Sequence, residues 1–165
     1  GKLDEQSDCL EGWMPRRLTA TDVCAVTGYA RDELHATLKV LWPYREEKPV
    51  PRVAREFTPH DLVVLSVTQS LEHRFGLRRA ALSVLGELLR AALSGPKEAS
   101  RKARLVISIQ PPEVEYLDRS ITEKEGLVIA LGPIFEKVDD YLSYGGQGIL
   151  PLAPDVVSSR VRKTS

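Results

Sequence analysis

The sequence starts two helices with the same four-residue signal, Thr-x-x-Asp. It occurs as Thr19-Ala-Thr-Asp22 and again as Thr58-Pro-His-Asp61. In such a capping box the threonine hydroxyl accepts a hydrogen bond from the third backbone amide of the helix, and the carboxylate accepts one from the backbone amide of the threonine. Pro59 strengthens the second signal, because proline is favoured at the first helical position. The two boxes therefore predict where two helices begin.

A glycine separates the first helix from a second one. Gly28 follows about two turns after the first box, where a residue in the left-handed conformation usually ends a helix. The second helix is predicted over ARDELHATLKVLW, because Leu34, Leu38 and Leu41 recur at helical spacing, and it stops before Pro43. Two short helices joined by a tight turn form a helix-turn-helix unit.

The chain between the second helix and the second capping box contains three prolines. Residues 43–56 alternate charged with small apolar side chains, which predicts an extended loop or a short hairpin. The third helix is predicted to reach His73 or Arg74. A fourth helix covers LRRAALSVLGELLRAAL before Gly95-Pro96. Its predicted buried stripe consists of Ala81, Val84, Leu85, Leu88 and Ala92.

The hydrophobic period changes from helical to alternating at Arg104. Three segments, RLVISIQ, VEYLDR and GLVIALG, are predicted to be strands of a small sheet. The amphipathic segment PIFEKVDDYLSY then predicts a last helix, which Gly145-Gly146 ends. The sequence therefore predicts an α+β fold that is mainly α.

The distribution of charge is uneven although the 165-residue chain has no net charge. From Arg45 to Arg104 there are 12 Lys or Arg against 7 Asp or Glu, whereas residues 111–165 hold nine acidic and six basic side chains. A chain with no net charge can therefore still have the basic face that DNA binding requires. No stretch approaches the twenty or so apolar residues of a membrane span, and the N-terminus lacks the layout of a signal peptide. Reduced cysteines in a cytoplasmic protein are predicted for Cys9 and Cys24.

Two segments resemble the MerR family of transcriptional regulators. Thr19-Ala-Thr-Asp-Val-Cys-Ala-Val-Thr-Gly28 resembles that family's first helix and turn, and Leu34 falls where its second helix has a buried leucine. Arg55-Glu-Phe-Thr-Pro-His-Asp-Leu62 is similar to the exit from its wing into a capped helix. The resemblance covers roughly residues 18–95 and implies a winged helix-turn-helix.

This resemblance sets the predicted organisation of the chain. A winged helix-turn-helix domain is followed by a small strand-rich segment and a C-terminal helix. The predicted divisions are an N-terminal arm (1–17), a MerR-like winged helix-turn-helix domain (18–95), an extension of strands and a helix (96–150) and a C-terminal tail (151–165).

In a helix-turn-helix the second helix lies in the major groove, where side chains near its N-terminus meet base edges. The predicted base-contacting residues are Tyr29, Arg31, Asp32 and His35. Arg31 is the first choice, because a guanidinium matches the two acceptors of guanine. The residues predicted to contact phosphate or to enter the minor groove from the wing are Arg45, Lys48, Arg52 and Arg55.

The predicted function is a cytoplasmic, sequence-specific regulator that binds double-stranded DNA as a homodimer, since one short recognition helix touches too few base pairs to be selective. The segment after Arg104 would supply the pairing surface. The alternative is a protein-interaction module, an adaptor or antitoxin-like partner protein on a winged-helix scaffold, that uses the same C-terminal segment. The zero net charge and the apolar residue Ala30 at the cap of the second helix favour this alternative.

Catalytic and metal-binding patterns are weak in this sequence. Pairs such as Asp139-Asp140 and Glu46-Glu47 are typical of a solvated face, and Gly145-Gly-Gln-Gly148 lacks the lysine of a phosphate-binding loop. The residues Cys9, His35, His60 and His73 show none of the ligand spacings of a zinc site. Cys24 follows Val23 at a packing position of the first helix. The sequence therefore predicts neither an enzyme, nor a cofactor, nor a metal site.

Overall fold

A computed structural model describes residues 17–95, 100–118 and 124–146. The described residues form five α-helices, which are α1 (Ala20–Thr27), α2 (Arg31–Leu38), α3 (Pro59–His73), α4 (Arg79–Ala92) and α5 (Gly132–Asp140). They also form three strands, which are β1 (Arg104–Ile109), β2 (Pro112–Leu117) and β3 (Leu127–Ala130). The predicted α+β class is confirmed. The predicted tail and all of the predicted arm except Arg17 lie outside the described residues.

The second capping box forms in full, since the Thr58 hydroxyl accepts from the Asp61 amide at 3.1 Å, whereas in the first box only the carboxylate half forms, and the Thr19 hydroxyl donates to Asp22. The Asp22 carboxylate accepts a hydrogen bond from the Thr19 amide at 2.7 Å, and the Asp61 carboxylate accepts one from the Thr58 amide at 2.7 Å. Gly28 ends α1 in the left-handed conformation, with φ 87°. The predicted end of α3 at His73 is also confirmed. These local signals decide where the helices begin and end, because each satisfies backbone groups that a helix end leaves unpaired.

The predicted length of the second helix is wrong. The helix ends at Leu38, and the chain turns there instead of continuing to Trp42. The residue before a proline avoids helical conformation, which keeps Trp42 out of the helix, and the amides of Val40 and Leu41 both donate to the Thr37 carbonyl in a tight turn. Leu41 remains fully buried in the turn, because α4 approaches it closely at Gly86.

The loop between α2 and α3 is extended, and no hairpin forms among its described residues. It begins with one tight helical turn, Tyr44–Glu46, and continues without strand pairing. Its exit is held by a single bridge, in which the Phe57 amide donates to the Leu18 carbonyl at 2.9 Å. Of the two predicted alternatives the structure has the extended loop.

The predicted buried stripe of the fourth helix is wrong, because the buried side of α4 is rotated from it by part of a turn about the helix axis. Leu82, Leu85 and Leu89 are fully buried, whereas Val84 and Leu88 are 50% and 37% exposed. The buried side of α4 is the one that packs against α3 and β2. Leu85 is thus the only large residue of the predicted stripe that lies in the core.

The three predicted strands form one antiparallel sheet with the order β2-β1-β3. β2 packs against α4, and α5 packs against α3. Buried side chains from Leu18 to Leu89 and from Ala103 to Leu142 belong to one hydrophobic core. The strand-rich segment is therefore packed into the same core as the helices before it.

Candidate nucleic-acid interface

The turn between α1 and α2 is held by hydrogen bonds at both of its ends. The Gly28 amide donates to the Cys24 carbonyl at 2.9 Å, and the Tyr29 amide donates to the Thr27 hydroxyl. The Ala30 amide donates to the Glu33 carboxylate at 3.0 Å, so Glu33 caps α2 although Ala30 has no polar side chain to do so. The relative placement of α1 and α2 is thus fixed by hydrogen bonds from the backbone amides of the turn.

Glu33 also joins α2 to the end of α3. Its carboxylate lies 2.9 Å from Nε2 of His73. The hydrogen bond from the Ala30 amide, together with the neighbouring His73 ring, holds the pKa of Glu33 below its ordinary value. The first turn of α2 therefore lies beside the turn that connects α3 and α4.

Four polar side chains form an exposed surface along α2, which we call the α2 face. Its members are Arg31, Asp32, His35 and Lys39. The Arg31 guanidinium donates to the Thr21 hydroxyl of α1 at 3.1 Å, which places it between the first turns of the two helices. Three of the four predicted base-contacting residues, Arg31, Asp32 and His35, are therefore brought together on one surface.

Tyr29 is a core residue, which corrects its prediction as a base-contacting residue. Only 3% of it is exposed, and its ring packs edge-to-face against the His73 ring at a centroid distance of 6.1 Å. Burial, together with the nearby Glu72 carboxylate, raises the pKa of its hydroxyl. A side chain enclosed in this way does not reach a base edge.

The four basic residues predicted for the wing divide into two pairs. Arg45 donates to the carbonyls of Val40 and Ser83 at 3.2 and 3.1 Å, and Arg55 lies over the Tyr44 ring with its guanidinium carbon 5.9 Å from the centroid. Both guanidinium groups thus hold the loop in place. In contrast, Lys48 and Arg52 are exposed and have no hydrogen-bond or ion-pair partner among the described residues.

A buried polar cluster anchors the base of this loop. The Tyr44 hydroxyl donates to the Asp61 carboxylate, and Arg90 donates to that carboxylate at 2.5 Å and to the Tyr44 oxygen at 2.6 Å. Arg90 also lies 3.2 Å from Nδ1 of His60. The cluster therefore links the start of the loop to α3 and α4.

The pKa values in the cluster follow from burial and from these contacts. Burial by itself raises the pKa of Asp61, but hydrogen bonds from Tyr44 and Arg90 outweigh it and hold that pKa below the ordinary 3.8. Burial and the Asp61 charge raise the pKa of Tyr44. Burial and the Arg90 charge lower the pKa of His60 below 6.5. An ionised Asp61 facing neutral Tyr44 and His60 and a charged Arg90 is the stable arrangement.

Sequence reasoning missed a second group of exposed cations. Arg74, Arg78 and Arg79 lie in and after the turn between α3 and α4, and all three are exposed. Arg79 lies 3.5 Å from Glu72. The Arg78-Arg79 pair is visible in the sequence, but the position of this turn beside α2 follows only from tertiary contacts, namely Glu33 with His73 and Thr37 with Glu72.

The described residues give little support for thiol chemistry at Cys24 or for a metal site. Burial raises the pKa of the Cys24 thiol, and the Arg31 charge opposes that shift only in part. Within residues 17–95, 100–118 and 124–146 no group of three His, Cys, Asp or Glu side chains is arranged to hold a metal ion. In the same ranges no helix is long and apolar enough to cross a membrane.

Comparisons with family models, with curated proteins and with solved structures found no match to this chain. The resemblance to the MerR family therefore stays a prediction from the sequence.

Proposed function

We propose that this chain is a sequence-specific DNA-binding protein and a transcriptional regulator that acts as a homodimer. One observation supports this proposal most strongly: the α2 face presents Arg31, which is hydrogen-bonded to Thr21 of α1, and His35 one turn further along, on two helices joined by a tight glycine turn. This is the arrangement with which a helix-turn-helix presents side chains to the edges of bases.

The surrounding charges support the same surface. Lys48 and Arg52 lie on the loop after α2, and Arg74 and Arg78 lie on the turn after α3. All four cations are exposed, and Arg74 directly follows His73, which contacts Glu33 of α2. Exposed cations beside a base-reading helix bind phosphates and displace their counterions. The zero net charge of the chain is no obstacle, because many acidic residues fall after residue 110.

Each protomer has one α2 face, so a homodimer would supply a second helix that reads bases. β3 is an edge strand that pairs only with β1 among the described strands, and Val128 on it is 53% exposed. Edge strands of two copies can pair antiparallel about a two-fold axis. This supports pairing through the strand-rich segment.

A protein-interaction module is the second candidate function, and the outer side of α4 favours it. Val84 and Leu88 are exposed one turn apart, on the side of the helix that faces away from its buried leucines. Such a pair suits the apolar face of a partner helix. The zero net charge of the chain also favours a protein partner.

The deciding experiment is selection from a random pool of duplex DNA, followed by titration of the enriched duplex at several salt concentrations. We expect enrichment of a two-fold symmetric site and a log-log salt slope of roughly −4 or steeper per protomer, as for about four phosphate contacts. A protein that enriches no site and binds no duplex at about 50 mM salt would leave the protein-interaction function in its place.

A further inference from the structure

His60, the second residue of α3, lies against the last turn of α4. Its Nδ1 atom is 3.2 Å from Nη1 of Arg90, and its Nε2 atom is shielded from water. A guanidinium can only donate hydrogen bonds, so Nδ1 must accept this one and the ring proton lies on Nε2. The contact between the two helices therefore requires a neutral imidazole.

A second proton, on Nδ1, would set two donors and two positive charges against each other. Among the described residues, the charged groups that act on the ring are Arg90 of α4 and Asp61 of α3. Burial and the Arg90 charge lower the pKa of His60 below its ordinary 6.5. They outweigh Asp61 and the Leu93 backbone, which favour the protonated ring. The first turn of α3 also disfavours a positive side chain, because the N-terminus of a helix is itself positive.

The Asp61 carboxylate is already used by other donors. Its Oδ1 atom accepts from Tyr44 and Arg90, and its Oδ2 atom accepts from the Thr58 amide. In the described part of the chain no hydrogen bond joins it to His60. To move away from a charged ring, Arg90 would have to break its contacts with Tyr44 and Asp61, at 2.6 and 2.5 Å. His60 would break only its contact with Arg90, so His60 is the side chain that moves.

We infer that His60 is an acid-sensitive switch that releases the end of α4 from the start of α3. The protonated ring turns out into water and leaves Arg90 bound to Asp61 and Tyr44. The last turn of α4, residues 89–93, then loses the contact that the ring made with it. This inference concerns the fold and does not depend on the proposed function.

The sign of the pH dependence follows from the direction of the shift. The neutral ring stabilises the fold fully above the unfolded pKa of about 6.5, and that contribution is lost as the pH falls through the lower, folded pKa of His60. The pKa of Asp61 is held below 3.8, so its contacts with Tyr44 and Arg90 persist in this range. Acid therefore opens the end of α4 before it opens the start of the loop.

NMR of the full chain measures the protonation of the ring and the opening separately. The Cε1 proton of each of the three histidines gives a titration curve, and that of His60 should have its midpoint below 6.5. Amide exchange of residues 89–93, corrected for its intrinsic dependence on pH, should be about tenfold faster at about pH 5 than at about pH 7.5. The corrected exchange of residues 45–47 should not change.

His60→Gln is the main variant, because its amide oxygen can accept from Arg90 and it carries no charge at any pH. The corrected exchange of residues 89–93 should be the same in this variant at both pH values. His73→Gln is the matched control, since His73 also lies on α3 and contacts a charged residue of another helix, Glu33. It should open as the wild type does. Thermal melting at about pH 7.5 checks that both variants are folded.

Three results would overturn the inference, and the first two need only the wild-type protein. A His60 midpoint at or above 6.5 would show that Arg90 does not oppose protonation of the ring. Protonation of His60 without faster exchange in residues 89–93 would show that the ring takes up its proton in place. A folded His60→Gln variant that still opens at low pH would show that another group controls the end of α4.

Discussion

The Tyr141 hydroxyl donates a hydrogen bond to the Asp22 carboxylate at 2.5 Å, across 119 positions of the chain. The same carboxylate caps α1 through the Thr19 amide. The second capping box repeats this relationship, since Asp61 caps α3 and accepts from the Tyr44 hydroxyl. Each capping aspartate therefore has one oxygen for its own helix and one for a distant tyrosine, which ties the helix starts to the rest of the fold.

The first prediction concerns the hydrogen bond between Tyr141 and Asp22. Tyr141→Phe should lower the free energy of unfolding by about 1 kcal/mol, because the buried Asp22 carboxylate loses the hydrogen bond that the Tyr141 hydroxyl donates. Urea denaturation of Tyr141→Phe, Asp22→Asn and the double variant gives the coupling between the two residues. Losses that add within about 0.3 kcal/mol would show that the two side chains do not interact.

The second prediction concerns the charge of Asp61. Asp61→Asn should cost about 3 kcal/mol at pH 7, because it leaves Arg90 partly buried opposite a neutral side chain. The folded protein holds the pKa of Asp61 below 3.8, so the stabilisation is fully present above that value and is lost as the pH falls through the lower, folded pKa. The difference from the wild type should therefore be constant from pH 7 to about pH 5 and shrink below about pH 4.

The matched control for this charge is Asp32→Asn. Asp32 is exposed on α2, and its substitution should change stability by no more than about 0.5 kcal/mol. The measurement is urea denaturation at pH 7, 5 and 3. A cost of Asp61→Asn that does not diminish at pH 3 would contradict the assignment of Asp61 as the ionised member of the cluster.

The sequence predicts the starts of α1 and α3 and the end of α1 well, because the signals for them are local. Thr19, Gly28 and Thr58 act on backbone groups within four residues of themselves, so no distant contact is needed to interpret them. The buried side of α4 is different, because the apolar rows containing Val84-Leu88 and Leu85-Leu89 both have helical spacing. Only the packing of β2 and α3 decides which row is buried.

The candidate interface, too, was predictable only where it depends on local geometry. The helix-turn-helix geometry that the resemblance implies selected Arg31, Asp32 and His35, which the structure exposes on one surface of α2, but it also selected Tyr29, which is buried. The roles of Arg45 and Arg55 depend on the Ser83 carbonyl and the Tyr44 ring, which lie 38 and 11 positions away. Contacts of this kind follow from the tertiary fold and have no pattern in the sequence.

The third prediction concerns the approach of α4 to the turn after α2. A Cβ atom at Gly86 would lie 2.9 Å from Cδ1 of Leu41 and 3.1 Å from the backbone N and O of Trp42. Gly86→Ala should therefore destabilise the protein by about 1 to 3 kcal/mol, although alanine favours a helix over glycine by about 1 kcal/mol. Thermal and urea denaturation measure the change.

Glu87→Ala is the control for helix propensity at the neighbouring exposed position of α4, and it should change stability by less than about 0.5 kcal/mol. A Gly86→Ala variant more stable than the wild type would mean that Leu41 and Trp42 move aside, and that the turn is less closely packed than the structure has it.

The fourth prediction concerns the proposed dimer. Val128→Asp places a charge on the β3 edge and should halve the molar mass measured by sedimentation equilibrium, and its melting temperature should no longer rise with protein concentration. Val84→Asp is the control, because it places the same charge on the exposed side of α4. Dissociation by Val84→Asp alone would move the dimer contact to α4.

The last prediction concerns Arg31 and separates base reading from phosphate binding. Arg31→Ala should weaken binding to the enriched site by about 1 to 3 kcal/mol and leave binding to random duplex nearly unchanged, as for a residue that meets a guanine edge. Thr21→Val removes the hydroxyl that positions the guanidinium at 3.1 Å and should cause a smaller loss on the enriched site alone. Fluorescence anisotropy with both duplexes measures the two effects.

Arg55→Ala provides the contrast, because Arg55 packs over the Tyr44 ring and its loss should act on the loop before it acts on DNA. That variant should melt at a lower temperature and bind both duplexes less tightly. Arg31 is exposed, and its alanine variant should melt like the wild type. A folded Arg31→Ala variant that binds the enriched site as tightly as the wild type would show that the α2 face does not read the bases, and the helix that does would have to be sought elsewhere on the molecule.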